Sequence, residues 1–274
     1  VSKSSLEEIE IQLLLEGIYQ YYGYDFRDYA PASLKRRLRS ILRSEQLQTF
    51  SALQEQVLHN PDCLKRLLLG LTVNVTTMFR DPSFFVVFRQ RVASLLRTYP
   101  FIRIWHAGCS TGQEVYSMAI LLHEEKLYHR CRIYATDTNE AVLQTARQGI
   151  YPLDRMQEYT QLYLKAGGQR SFSEYYTAAY DSAIFRSSLK DNVVFSQHNL
   201  ATDSSFNEFN VILCRNVLIY FNQELQQRVH QLFYESLCKF GILGLGRQES
   251  IRFTPYEQCY EEIARGEKLY RRLS

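Results

Sequence analysis

A chain of 274 residues, 46% of them hydrophobic and 22% charged, can bury a sizeable core as one large domain or two modest ones, which excludes a disordered segment. Apolar runs such as residues 67–73 fall far short of the roughly 20 residues of a membrane-spanning helix, and no apolar targeting segment opens the sequence, so a soluble, cytoplasmic protein without membrane insertion is expected. A net charge of +3 makes no general case for nucleic acid, and six singly placed cysteines (Cys63, Cys109, Cys131, Cys214, Cys238 and Cys259) offer neither a CxxC pair nor zinc-ligand spacing, so reduced thiols and no metal are expected.

Taken in chain order, roughly the first ninety residues predict helices only. Leu34, Leu38, Ile41 and Leu42 recur at helical spacing, as do Phe50, Leu53 and Val57. Residues 33–43 also hold Lys35, Arg36, Arg37, Arg39 and Arg43 and no acid. At about 100° per residue, Lys35, Arg36, Arg39 and Arg43 gather opposite the apolar stripe. This face reads either as solvated surface or as a docking surface for an acidic helical partner; nucleic acid is disfavoured because no aromatic side chains interleave with the charges. A further helix is expected from Asp81-Pro82, with Asp81 capping the free amides, Pro82 at the first position and a buried stripe of Phe85, Phe88, Val92 and Leu95.

From about Ile102 short β-rich runs alternate with amphipathic helices, which predicts a mainly parallel sheet covered on both faces. The expected strands are 102–106, 131–136, 193–197, 210–214, 241–245 and 268–273. One helix between the first two carries Val115, Met118, Ala119 and Leu122; another, capped by Asn222, buries Leu225, Val229, Leu232 and Phe233. Residues 167–191 are polar, Tyr-rich and partly period-two, so a small antiparallel excursion is expected there.

The first strand runs into Ala107-Gly108-Cys109-Ser110-Thr111-Gly112-Gln113-Glu114. In open α/β sheets ligands bind beyond the carboxyl ends of the strands, where glycine lets backbone approach the ligand. The G-x-x-x-G spacing is neither the three-glycine dinucleotide fingerprint nor a phosphate loop, since no Lys follows Gly112. By itself the turn is equally a tight strand-to-helix connection without a ligand. The second strand ends at Asp137, where a carboxylate can accept hydrogen bonds from the two hydroxyls of a ribose; it can also be read as a helix cap. The pair favours a nucleoside that lacks a pyrophosphate, as S-adenosylmethionine does, over a nicotinamide dinucleotide.

Three stretches in order, Asn74-Val75-Thr76-Thr77-Met78-Phe79-Arg80-Asp81-Pro82, Ala107 to Ser117, and Cys214-Arg215-Asn216-Val217-Leu218-Ile219-Tyr220-Phe221, resemble the CheR-type chemotaxis receptor glutamate O-methyltransferases. Shorter pieces (Ala135-Thr136-Asp137, Gly149-Ile150-Tyr151, Asn199-Leu200, Glu249-Ser250) extend the resemblance over roughly residues 10–272. It implies an α/β, class I S-adenosylmethionine methyltransferase (Rossmann-like) domain at 91–274, an N-terminal all-α domain at 1–90 and an antiparallel β subdomain near 167–191. It implies that Asn74, Thr76, Arg80, Glu114, Asp137, Asn199, Leu200, Arg215 and Asn216 bind S-adenosylmethionine beside Gly108 and Gly112 of the turn, with S-adenosylhomocysteine as product, and that Arg80 and Tyr220 lie closest to the transferred methyl. A Glu-rich helical region of a chemoreceptor is the implied partner, docking on Lys35, Arg36, Arg39 and Arg43, with the enzyme a monomer. Val75, Met78, Gln113, Val115, Asn139 and Arg247-Gln248 depart from the family pattern and leave room for a changed substrate. The alternative is a non-catalytic module that binds S-adenosylmethionine or S-adenosylhomocysteine and reports it to a partner.

Overall fold

The computed structural model describes residues 5–71, 76–264 and 266–273. The chain divides into two compact units, one of Val1–Asn74, Asn199–Asp203 and Ile219–Val229, the other of Val75–His198, Ser204–Leu218 and His230–Ser274.

The first unit contains α1 (Leu6–Tyr22), α2 (Pro31–Ser44), α3 (Phe50–His59) and α4 (Pro61–Leu71). Local chemistry sets the ends: Ser5 and Glu8 form a reciprocal capping box on α1, Gly23 ends that helix at φ 78°, and Thr49 caps α3. Leu14, Ile18, Leu38, Leu53, Val57 and Leu67 are fully buried and form a core of this unit's own, each such side chain favouring the fold by about 1.5–3 kcal/mol. Gly70 lets α4 approach α2, because a Cβ there would lie 2.7 Å from Ile41 Cγ1.

The second unit opens with α5 (Pro82–Val87), a π-helical segment at Phe88–Val92 and α6 (Ala93–Leu96). The helix expected here is present and starts at Pro82 as expected, but its side-chain cap and the end of its stripe differ. Asp81 makes no capping hydrogen bond and sits at φ 54°; its carboxylate is taken by arginines described below. The π turn adds a residue, so the buried set moves from Phe84, Phe85, Phe88 and Val92 to Ala93 and Leu96, leaving Leu95 only half-buried.

The main sheet comprises β1 (Ile102–Ala107), β2 (Cys131–Asp137), β6 (Val193–Gln197), β7 (Phe209–Cys214), β8 (Leu237–Leu245), β9 (Tyr260–Ala264) and β10 (Leu269–Arg272), in the order β6-β2-β1-β7-β8-β10-β9. The first five in that order run parallel, and β10 pairs antiparallel with both β8 and β9. Ile102 and Ile104 face a core shared with α7 (Gln113–Glu124), whereas Trp105 packs against Phe209 and Phe233 from the other face, Phe233 belonging to α10 (Gln223–Ser236). Between β2 and β6 lie α8 (Glu140–Gln148), α9 (Met156–Lys165) and an antiparallel sheet of β3 (Ile150–Pro152), β4 (Tyr176–Ala179) and β5 (Ser182–Phe185) in the order β3-β5-β4. The expected excursion is this β4–β5 hairpin; β3 joins it from upstream.

Candidate functional site

The turn between β1 and α7 is built for close approach. The N–H groups of Gly108 and Cys109 both donate to Thr136 O at 2.8 Å, which fixes the turn to the end of β2. Gly108 and Gly112 have φ 76° and 92°, and a Cβ would meet Val217 Cγ2 at 2.6 Å in one case and Ala146 Cβ at 2.9 Å in the other, so neither accepts a side chain. Ser110, also left-handed at φ 51°, donates its N–H to Asp137 Oδ2 at 2.9 Å. Asp137 Oδ1 accepts from Asn139 N–H at 3.0 Å, while α8 is capped by Asn139 itself. Burial raises the Asp137 carboxyl above its usual range, and the backbone amides of Asn139, Ser110 and Thr138 oppose that rise.

Glu114, in the first turn of α7, accepts from Arg215 Nη1 at 2.7 Å on Oε2, and its Oε1 lies 3.2 Å from His106 Nδ1. Burial alone would raise its pKa, but the Arg215 charge and the His106 and Arg215 hydrogen bonds bring it down to about 2. Arg215 is itself buried, stacks over Phe84 at 4.1 Å, and donates from Nη2 to Asp81 Oδ2 at 2.9 Å and to Arg80 O at 3.2 Å. On the other side Arg247 donates to Ser83 Oγ at 2.6 Å and to Glu267 Oε1 at 3.0 Å, and its Nη1 lies 3.9 Å from Asp81 Oδ1. The preceding segment is pinned by packing: Met78 and Phe79 are fully buried, Phe79 N–H donates to Ser117 Oγ at 2.9 Å, and its ring packs edge-on to Phe85 and Tyr163. This sets the turn that carries the half-buried Arg80.

The loops after β7 and β8 share one carboxylate. Glu249 accepts four backbone N–H groups, from Gly246 at 2.6 Å, Asn216 at 2.9 Å, Val217 at 2.8 Å and Leu218 at 2.7 Å, and holds Asn216 in its left-handed conformation at φ 62°. Asp81, His106 and Glu249 were not singled out as site residues by sequence. Glu249 fell in a family-like piece; nothing local marked the ion pairs of Asp81 or the ring of His106.

In the second unit, then, Arg80, Gly108, Gly112, Glu114, Asp137, Arg215 and Asn216 belong to turns joined by hydrogen bonds, while Thr76 is half-buried. Asn74 and Val75 lie outside the described residues. In the first unit Asn199 folds an Asx turn, its Oδ1 accepting from Ala201 N–H at 3.0 Å, and Leu200 is buried. Tyr220 accepts from Ala30 N–H through its carbonyl at 2.8 Å, and the Arg37 guanidinium stacks over its ring at 4.3 Å. Of the basic residues on α2, Lys35 and Arg39 are engaged by Glu7 of α1, at 2.6 and 2.8 Å, whereas Arg36 and Arg43 are exposed.

The donor set suits S-adenosylmethionine. An ionised Glu114 can receive an ammonium, Asp137 keeps acceptor capacity beyond its three backbone amide bonds for a ribose hydroxyl, and the glycines leave space against the turn. Ser110 Oγ and Arg215 Nε are buried polar atoms without a hydrogen-bond partner among the described residues, as expected where a polar ligand completes the set.

Two family models match the chain: "CheR methyltransferase, SAM binding domain" over residues 74–264 and "CheR methyltransferase, all-alpha domain" over residues 9–72. The chain is 54% identical to a "Putative methyltransferase Cher3" of Pseudomonas putida, covering 97% of each chain. It is 29% identical to a "Chemotaxis protein methyltransferase" of Escherichia coli, over 97% of this chain and 91% of that one. A further "Chemotaxis protein methyltransferase", of Listeria monocytogenes, is 29% identical over 84% of this chain and 85% of its own.

Proposed function

The chain belongs to the CheR methyltransferase family, and from that premise we propose that it esterifies the side-chain carboxylate of glutamyl residues in a chemotaxis receptor or a related signalling protein. That it is an S-adenosylmethionine-dependent methyltransferase follows from the family itself. The observation that supports a chemotaxis-protein substrate is the name shared by relatives that the chain matches over most of their length, "Chemotaxis protein methyltransferase".

Bound S-adenosylmethionine supplies an electrophilic methyl on a sulfonium. What remains for the protein is placement. A glutamate carboxyl, with a reference pKa near 4.3, is already ionised at neutral pH, so no general base is required. An incoming oxygen must be held in line at roughly 3–3.5 Å with water excluded. Glu114 and Asp137 would hold the amino-acid and ribose ends of the cofactor, the two glycines its closest backbone approach, and Arg80 a carboxylate oxygen through its forked N–H groups. Arg215 acts as a buried strut, neutralising Glu114 and fixing the carbonyl of Arg80. The cofactor roles of Asn74, Thr76, Asn199, Leu200 and Asn216, and the placement of Tyr220 near the methyl, are proposals carried by the motifs alone, as is the division into a helical domain at 1–90 and a methyltransferase domain at 91–274.

The proposed partner is a Glu-rich helical region of the receptor, docking on α2 in the cytoplasm with the enzyme a monomer. Since Glu7 occupies Lys35 and Arg39, an acidic partner there would take over from that side chain, and Arg36 and Arg43 would engage directly. No helix among the described residues is long and apolar enough to cross a membrane. Transfer of labelled methyl from S-adenosylmethionine to receptor fragments tests the reading, with base-labile release expected for a carboxyl ester. Arg80→Ala should lower transfer by two orders of magnitude or more (~3 kcal/mol), and Asp137→Ala should chiefly weaken cofactor binding. Tight cofactor binding with no transfer to any carboxylate would favour the non-catalytic module instead.

A further inference from the structure

His106 occupies the penultimate position of β1, its side chain 1% exposed. Neighbouring interior positions of the same sheet are aliphatic, among them Ile104, Ile133 and Val211, and an aliphatic residue fills such a site without a polar group to satisfy. The imidazole instead leaves Nε2 buried with no partner among the described residues. Its one ring hydrogen bond there is to Glu114 Oε1 at 3.2 Å. An ionised carboxylate only accepts, so Nδ1 carries the hydrogen and the tautomer is fixed by Glu114. The second oxygen of Glu114 is held by Arg215 from the loop after β7. Two donors, one from β1 and one from the loop after β7, therefore clamp a long, flexible side chain at both oxygens, and a glutamate so fixed does not have to be ordered when a ligand arrives.

We propose that His106 is a positioning residue of the site, holding the Glu114 carboxylate in the orientation that receives the ammonium group of S-adenosylmethionine. The inference rests on the reading of Glu114 as a cofactor contact. It goes beyond that reading by assigning a residue that touches no ligand and acts through its neighbour.

Titration calorimetry with S-adenosylhomocysteine tests it, on variants first checked for folding by thermal melting. Asparagine places an amide nitrogen near the position of Nδ1, whereas glutamine reaches toward that of Nε2. His106→Asn should therefore stay within about threefold of the parent Kd, while His106→Gln and His106→Ala weaken binding on the order of tenfold. In a Glu114→Gln background, His106→Ala should bring no further loss, because the residue it acts through has already been altered. Losses that multiply in the double variant, a His106→Ala affinity equal to the parent's, or equal affinities for His106→Asn and His106→Gln would each overturn the proposal. If His106→Ala does not fold, the asparagine and glutamine variants decide between themselves. Glu114→Ala separates the two readings: undiminished affinity there sinks the cofactor contact itself, whereas loss there with an intact His106→Ala sinks only the clamp.

Discussion

Glu114 lies between the guanidinium of the loop after β7 and the imidazole of β1, and its charge state follows from them. Its carboxyl moves from a usual value of 4.5 to about 2. A carboxyl lowered on folding stabilises the native state above its unfolded pKa, and that contribution is lost as the pH falls through the folded value. The contribution, on the order of 3 kcal/mol, should therefore be complete above about pH 4.5 and disappear toward pH 2. Denaturant unfolding at pH 6, 4 and 3 measures it, and Glu114→Gln should flatten the profile; an unchanged acid sensitivity in that variant would remove the pairing from the account. Asp137 stood out in sequence from its place at the end of the second strand, as a ribose contact or a helix cap, whereas Glu114 came forward only through the family-like motif that holds it. Asp81 was not, since its neighbour Pro82 made a helix cap the natural expectation while its ion partners, Arg215 and Arg247, come from more than a hundred residues away. His106 gave no signal, because a single histidine in an apolar strand points equally to a core position.

At the level of elements, the loops after β7 and β8 depend on Glu249. Removing its carboxylate strands four backbone N–H groups, and each buried unsatisfied donor costs about 1–3 kcal/mol. Glu249→Ala should thus destabilise the protein by at least about 3 kcal/mol in denaturant unfolding, with Glu249→Gln intermediate because its amide oxygen still accepts. A loss under 1 kcal/mol for the alanine variant would mean that solvent reaches those amides. The parallel strands β1, β2, β6 and β7 were read to within a residue or so, since each is a short β-rich run, and this held even for β6, which lies at an edge with half-buried and exposed residues. Less was legible at the sheet margins: β9 (Tyr-Glu-Glu-Ile-Ala) lies at an edge and is mostly polar, and β3 is only three residues long and contains Pro152. The helix from Pro82 was expected with a regular stripe, and the extra residue of the π turn, which periodicity cannot anticipate, rotated its final turn.

For the whole molecule, the change from helical to alternating periodicity near Ile102 predicts a helical part and a sheet part, and among the described residues one buried cluster lies within the helical unit and another within the unit that holds the sheet. Sequence could not say that the small antiparallel sheet has no core of its own. Tyr151, Tyr159, Tyr163, Phe172, Tyr175 and Phe185 join the same buried cluster as α7 and β1. At the junction Glu124, at the end of α7, is buried and accepts from Arg89, from the Tyr163 and Tyr175 hydroxyls, and from Gln169 N–H at 3.0 Å. Arg89→Ala leaves that carboxylate without its cation, for an expected loss of about 3–5 kcal/mol, and the small and large sheets should unfold in one coincident transition when followed by separate probes. Two resolved transitions would contradict the shared core. For protein engineering the same junction sets a rule: a chimera that exchanges residues 150–190 alone inherits an acid whose hydroxyl donors have been replaced, so the small sheet can be transplanted between homologues only as a cassette that carries Arg89 and Glu124 with it.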